Sequence, residues 1–166
     1  MSNAPPPRAR WVTDRILDRK ELEERLAIGR RQGSLALANG CFDLLHAGHV
    51  RYLKAAKAEA DLLLVAINSD ASVRALKGEG RPLQTEEDRL EIIASLECVD
   101  FVTLFDEISL EAVIEIVEPD VHCKGTDYTP ETVPERKTVL QHGGRIAIVG
   151  DPKDHDTSRI IKKISR

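Results

Sequence analysis

Residues 62–67 read Leu-Leu-Leu-Val-Ala-Ile, six apolar side chains without a break. A strand with one wet face alternates apolar and polar residues. An unbroken run therefore predicts a strand covered on both faces, as in parallel sheets flanked by helices. Leu35 to Ala38, Val99 to Leu104, Val121 to Cys123 and Arg145 to Val149 supply four more short strand candidates. Between them lie stretches with helical spacing: Gly48 to Ala58, Ala71 to Leu76, a Thr85-capped stretch to about Glu97, Ser109 to Val117 and Glu135 to Gln141. An exposed amphipathic helix is expected from Asp18 to Arg31, and Asp156 is expected to cap a last helix through Ile160, Ile161 and Ile164. Strands alternating with helices predict an α/β fold: one doubly wound domain with a five-stranded parallel sheet flanked by helices. Residues 1–11, with Pro5-Pro6-Pro7, are read as a flexible arm, and residues 12–166 as the domain.

A chain of 166 residues can bury a core of this size without staples. Its net charge of −4 argues against a general nucleic-acid binder. No apolar run approaches the roughly 20 residues of a membrane span, so no membrane partner is expected. Three widely spaced cysteines, Cys41, Cys98 and Cys123, with no CxxC pair, argue for a reducing cytoplasmic setting and against a zinc site.

Asn39 to His49 reads NGCFDLLHAGH and joins the first strand to a helix. A strand, a glycine-punctuated turn and a helix start bring free N–H groups to a strand's carboxyl end, where α/β sheets bind phosphates. The stretch, including Asn39, Gly40 and Gly48, is read as holding a nucleoside triphosphate. His46 and His49, at the helix start, would stabilise charge on the phosphorus under attack. The plain alternatives are a metal pair or two ordinary histidines, and a metal lacks an obvious third ligand. Lys77 lies in the basic loop Lys77-Gly78-Glu79-Gly80-Arg81-Pro82, and Arg89 on the next helix. For both, solvated surface charge is the plain alternative. Lys124-Gly125-Thr126-Asp127-Tyr128 follows the fourth strand candidate. A base or ribose could lie against Lys124 and Gly125, with Asp127 accepting from hydroxyls; a plain turn weighs equally. Thr157 and Ser158 open the final helix and suit phosphates, although capping by Asp156 explains the same residues more cheaply.

NGCFDLLHAGH resembles the TxGxFDxxHxGH signature of the cytidylyltransferase-like nucleotidyltransferases, which have a Rossmann-like fold. The likeness runs from about Ser34 to Ile164. Within that superfamily, NGCFDLLHAGHVRYL, NSDASVRALKGEGRP, VDFVTLF, PDVHCKGTDYTPE and TSRIIKKI are most similar to the adenylyltransferases that make ADP-heptose. The resemblance implies that Gly40, Cys41 and Phe42 contact the nucleotide and that Asp43 ties down the turn. It also implies that His46 and His49 touch the triphosphate and that Lys77, with Arg89, neutralises substrate phosphate. The implied reaction transfers AMP from ATP to heptose 1-phosphate and releases pyrophosphate, in the supply of activated heptose for bacterial lipopolysaccharide. Mg2+ would be held mainly by the triphosphate. A separate sugar kinase is expected upstream, and the arm and first helix leave a homodimer open. A CTP-dependent cytidylyltransferase for glycerol 3-phosphate, and a nucleotide-binding module without turnover, are the alternatives. Two positions depart from the family pattern: Asp156 stands for the usual serine, and Thr126 for a glycine, a change expected to narrow the pocket.

Overall fold

The computed structural model describes residues 9–152 and 160–162. In chain order the elements are α1 (Arg10–Thr13), α2 (Arg19–Leu26), β1 (Leu35–Gly40), α3 (Ala47–Lys57), β2 (Leu62–Asn68), α4 (Asp70–Lys77), α5 (Glu86–Ala94), β3 (Phe101–Phe105), α6 (Glu111–Val117), β4 (Val121–Lys124), α7 (Arg136–Gln141) and β5 (Arg145–Ile148). The five strands form one sheet in the order β3-β2-β1-β4-β5, with every neighbouring pair parallel. The expected doubly wound architecture is therefore present.

Both faces of the sheet are covered, which is why the 62–67 run carries no polar residue. Leu63, Val65 and Ile67 pack with Leu53 and Ala56 of α3 and Leu90, Ile93 and Ala94 of α5. Leu64 and Ala66 point the other way, against Leu22 and Leu26 of α2 and Val113, Ile114 and Val117 of α6. The period of two along β2 thus feeds two separate cores.

Local signals set most boundaries. Asp18 caps α2 in a reciprocal box with Glu21, and the Thr85 hydroxyl accepts from the Asp88 N–H at the start of α5. Glu118, in the left-handed region, ends α6 ahead of Pro119. Several boundaries differ from expectation: α5 ends at Ala94 rather than about Glu97, β3 begins at Phe101 rather than Val99, and α6 begins at Glu111 rather than Ser109. The helix predicted to reach Arg31 stops at Leu26, because Ala27 is extended and Gly29 takes φ +80°. β1 runs two residues beyond Ala38, since Asn39 and Gly40 stay in register with Ala66 and Ile67. α1 was not anticipated: a single turn has no periodicity to read, yet it buries Val12 in the α3/α5 core.

The amino ends of the strands are held by carboxylates. Asp61, Asp100 and Asp120 accept from the backbone N–H of Ser34, Leu63 and Leu35 at 2.8, 2.7 and 2.7 Å. The carboxyl ends are held differently. The connections run outward from β1 through β2 to β3, while β4 and β5 lie on the other side of β1. Strand order therefore reverses between β1 and β4, and the crevice above that switch point is where such sheets take ligands. No helix among the described residues is long and apolar enough to cross a membrane.

Candidate active site

A cleft of about 770 Å3 opens at the carboxyl ends of the strands, above the β1/β4 switch. Its floor is Asn39, Gly40, Cys41 and Phe42, from the end of β1 and the turn that follows. Phe42 sits in the left-handed region at φ 48°, unusual for a bulky residue. Its ring lies over Gly40, where an added Cβ would come within 3.1 Å of it. Glycine at position 40 is what lets the ring fold back over the strand end.

That fold-back supports the histidines. His46 is the N-cap residue of α3, with φ −140° and ψ 171°, and His49 is one turn inside. Their rings stack with centroids 3.8 Å apart and planes 23° from parallel; Phe42 meets His49 edge-on at 5.1 Å. Burial first, then the neighbouring His46 and Lys77, push the His49 pKa from 6.5 down to about 4. His49 is thus neutral at pH 7 and can donate a hydrogen bond without carrying charge. Lys77, the exposed last residue of α4, lines the cleft on the β2 side. Gly48 lines it between the histidines.

Asp43, expected to tie down the turn, and Arg89, expected at the substrate phosphate, both make structural contacts. The Asp43 carboxylate is fully buried and accepts from Arg81 Nε at 2.6 Å, Leu83 N at 2.7 Å and Gln84 N at 3.0 Å. Burial alone would raise its pKa, but those donors hold it below the usual carboxylate range. It ties the basic loop to the β1 turn and is no part of the cleft wall. Arg89, expected at the substrate phosphate, is 0 % exposed. Its Nη1 donates to the carbonyls of Cys41 and Asn68, both at 2.7 Å, Nε to Gln84 O at 3.2 Å, and Nη2 to Asp70 Oδ1 at 2.7 Å. The expectation is corrected accordingly: the guanidinium faces four protein oxygens and has no face left for a substrate.

On the β4 side, Lys124, Gly125 and Asp127 line the cleft. Lys124 Nζ donates to Asn39 Oδ1 at 2.9 Å, pairs with Glu135 Oε2 at 3.2 Å and lies 5.3 Å from the Tyr128 ring centre. At Gly125 a Cβ would come within 3.0 Å of Asp127 Oδ1, so the glycine leaves that carboxylate its present position. The Thr126 hydroxyl donates to the Asp151 carbonyl at 3.0 Å, so this residue joins the β4 turn to the segment after β5. Asp156, Thr157 and Ser158 lie outside the described residues. The cleft also contains residues that sequence reasoning missed, among them Tyr52, Asn68, Phe105, Ile108 and Glu135. Asn68 and Phe105 end β2 and β3, so the strand-end rule that found Asn39 would have found them too. Among the described residues no group of three or more His, Cys, Asp or Glu side chains is placed to hold a metal ion.

Fold and cleft define a doubly wound α/β protein with its ligand site at the β1/β4 switch, bearing an HxxH pair at a helix start. Residues 37–163 match the family described as cytidylyltransferase-like, and the chain belongs to that family. It is 45 % identical over 147 residues to the bifunctional protein HldE of Syntrophotalea carbinolica, covering 88 % of this chain and 30 % of that one. To HldE of Geotalea uraniireducens it is 52 % identical over 130 residues, covering 78 % and 26 %. The chain thus spans about 30 % or less of the length of these two relatives. Among solved structures it is similar to a lipopolysaccharide core biosynthesis protein from Thermoplasma volcanium. That match has a TM-score of 0.64 and 27 % identity, over 74 % of this chain and 100 % of that one. Pantoate-beta-alanine ligase from Francisella tularensis, at 16 % identity and TM-score 0.54 over 86 % and 68 %, shares the fold.

Two predictions follow from this geometry. Arg89→Met would leave Cys41 O and Asn68 O without their buried donor and Asp70 without its cation, at a cost of about 3–5 kcal/mol. Urea denaturation should show that loss, and a variant as stable as wild type would contradict the role given to Arg89. The His49 ring should stay neutral from pH 8 down to about 5.5 in the free protein, its Cε1–H NMR shift unmoved. Because the unfolded chain binds this proton near 6.5 and the folded chain only near 4, stability should decline as pH falls between those values. A His49 midpoint at 6.5 would contradict the burial seen here.

Proposed function

We propose that the chain transfers AMP from ATP to heptose 1-phosphate, giving ADP-heptose and pyrophosphate. The observation that carries this reading is the stacked His46–His49 pair at the start of α3, beside the β1 turn and inside the cleft. The likeness to HldE over most of this chain supports the sugar.

A phosphate monoester is largely ionised at neutral pH, so its oxygen needs no strong base before it attacks. That oxygen forms a bond to the α-phosphorus in line with the bond to the β-phosphate, which breaks; pyrophosphate departs with the electron pair. Nothing covalent forms with the protein. Catalysis is then positioning and charge stabilisation. His46 and His49 donate to the α-phosphoryl oxygens as charge shifts between them and the leaving group. Lys77, from the β2 side, neutralises phosphate charge. Gly40, Cys41 and Phe42 cradle the nucleotide, and Gly125 and Asp127 face its ribose or base. Thr157 and Ser158 remain proposed contacts for the outer phosphates.

Magnesium fits this donor set. Asp127, a hard oxygen donor on the cleft wall, would meet the ion through water while the triphosphate carries it; Asp151, also on that wall, is paired with Arg51 at 3.1 Å. Bound there, magnesium would neutralise the charge on the departing pyrophosphate. The sugar 1-phosphate would come from a separate sugar kinase.

Pyrophosphate release with ATP or CTP, each against heptose 1-phosphate and glycerol 3-phosphate, tests the proposal. Turnover should appear with ATP and heptose 1-phosphate. Preference for CTP and glycerol 3-phosphate would replace the reading by a cytidylyltransferase, and ATP binding with no release would make the chain a binding module. His49→Ala should lower kcat about a hundredfold or more with a smaller change in ATP affinity; near-normal turnover would remove His49 from the mechanism.

A further inference from the structure

Beneath the β4 side of the cleft runs a chain of polar contacts that the mechanism above leaves unused. His122 and Glu135 are 0 % and 6 % exposed, and the Lys124 side chain 8 %. His122 Nδ1 lies 3.1 Å from Leu37 O and its Nε2 3.5 Å from Glu135 Oε2. Both of those neighbours are acceptors, whereas a neutral imidazole has a single N–H. Burial, the first influence on His122, lowers its pKa and favours the neutral ring. A neutral His122 therefore serves only one of these two acceptors at a time and cannot by itself balance the carboxylate charge. The carboxylate is then compensated by Lys124, at 3.2 Å.

The consequence reaches Asn39. The Lys124 ammonium has three donors and no acceptor, so whichever amide atom faces it must be oxygen. That contact is Asn39 Oδ1, at 2.9 Å. The Nδ2 donors of Asn39 are thereby left for the cleft that this residue lines. Without Lys124 in place, the amide could turn over and offer oxygen to the cleft, which repels a phosphate. Lys124 in turn stays in this buried position because Glu135 balances its charge; a lone buried ammonium would leave for water.

We propose that Glu135 and Lys124 are positioning residues that hold the Asn39 amide with its nitrogen toward the nucleotide, so that Asn39 donates to a ligand oxygen. The proposal rests on the reading of the cleft as a nucleoside triphosphate site. It explains why an α7-flanking carboxylate belongs to an anion-binding cleft: Glu135 acts on the ligand only through Lys124 and Asn39.

The test combines ATP affinity by calorimetry with the Asn39 side-chain amide resonances of the free protein. Glu135→Met, which removes the acceptor, should weaken ATP binding about tenfold or more. Glu135→Gln keeps an acceptor for Lys124 but not its counter-charge, so its affinity should fall between Glu135→Met and wild type. In an Asn39→Ala background, Glu135→Met should weaken binding no further, because the relay has lost its end. In the free protein the Asn39 amide resonances should move in Glu135→Met and move less in Glu135→Gln. Equal weakening in both backgrounds, or amide resonances unmoved by Glu135→Met, would overturn the proposal. A wild-type protein that binds neither ATP nor CTP would overturn the proposed function instead, and the amide resonances would still report on the relay.

Discussion

The Arg89 guanidinium sits with no exposure between the ends of β1 and β2, donating to Cys41 O, Asn68 O and Gln84 O and pairing with Asp70. A buried cation costs several kcal/mol to desolvate and is tolerated only when every donor finds an acceptor. Here the acceptors are the backbone carbonyls that parallel strands leave bare where the ladder stops. Arg89 therefore closes the carboxyl edge of the sheet, as Asp61, Asp100 and Asp120 close the amino edge. Asp43 completes the join by accepting from Leu83 N and Gln84 N. The Phe42 turn, and with it the stacked histidines, rests on these two buried groups.

Charge in the cleft is divided between groups already paired and groups left open. Asp43, Arg89, Lys124 and Glu135 are compensated inside the protein, so they shape the cleft without adding much net field. Burial alone would raise the Glu135 carboxyl, yet His122 and Lys124 bring it down to about 2. Lys77, exposed at the end of α4, and the neutral His49 are positioned to respond to an arriving polyanion. Such a ligand favours protonation of His49, the reverse of what burial does in the free protein. A histidine that is neutral in the empty site and gains a proton more readily beside a polyanion suits a ligand that brings several negative charges.

Much of this was legible from residue patterns. The apolar run at 62–67 and the helical spacing around it implied a doubly wound parallel sheet, and NGCFDLLHAGH marked the floor of the cleft. Arg89 was misread because residue type alone says solvent for an arginine. Its position says otherwise: Arg89 and Ile93 are four residues apart on the α5 face that also carries Leu90 and Ala94 toward the sheet. Glu135 was read as the start of a helix because its partners, Lys124 and His122, lie more than ten residues back on β4 and meet it only when the connection to α7 folds over the strand. Such contacts have no local signature. Thr126 was expected to narrow the pocket; it lines the cleft, and its hydroxyl also bonds to Asp151 O, a partner 25 residues away that no local pattern announces.

The central claim is that one cleft, built on strand ends, holds a nucleoside triphosphate with its α-phosphorus at the His46–His49 pair. A crystal structure with an ATP analogue blocked between the α- and β-phosphates tests this most directly. The account predicts α-phosphate oxygens within hydrogen-bond distance of both imidazoles, with the base and ribose toward the Lys124–Asp127 turn. A nucleotide bound away from α3, or bound there with its phosphates pointing out of the cleft, would contradict it.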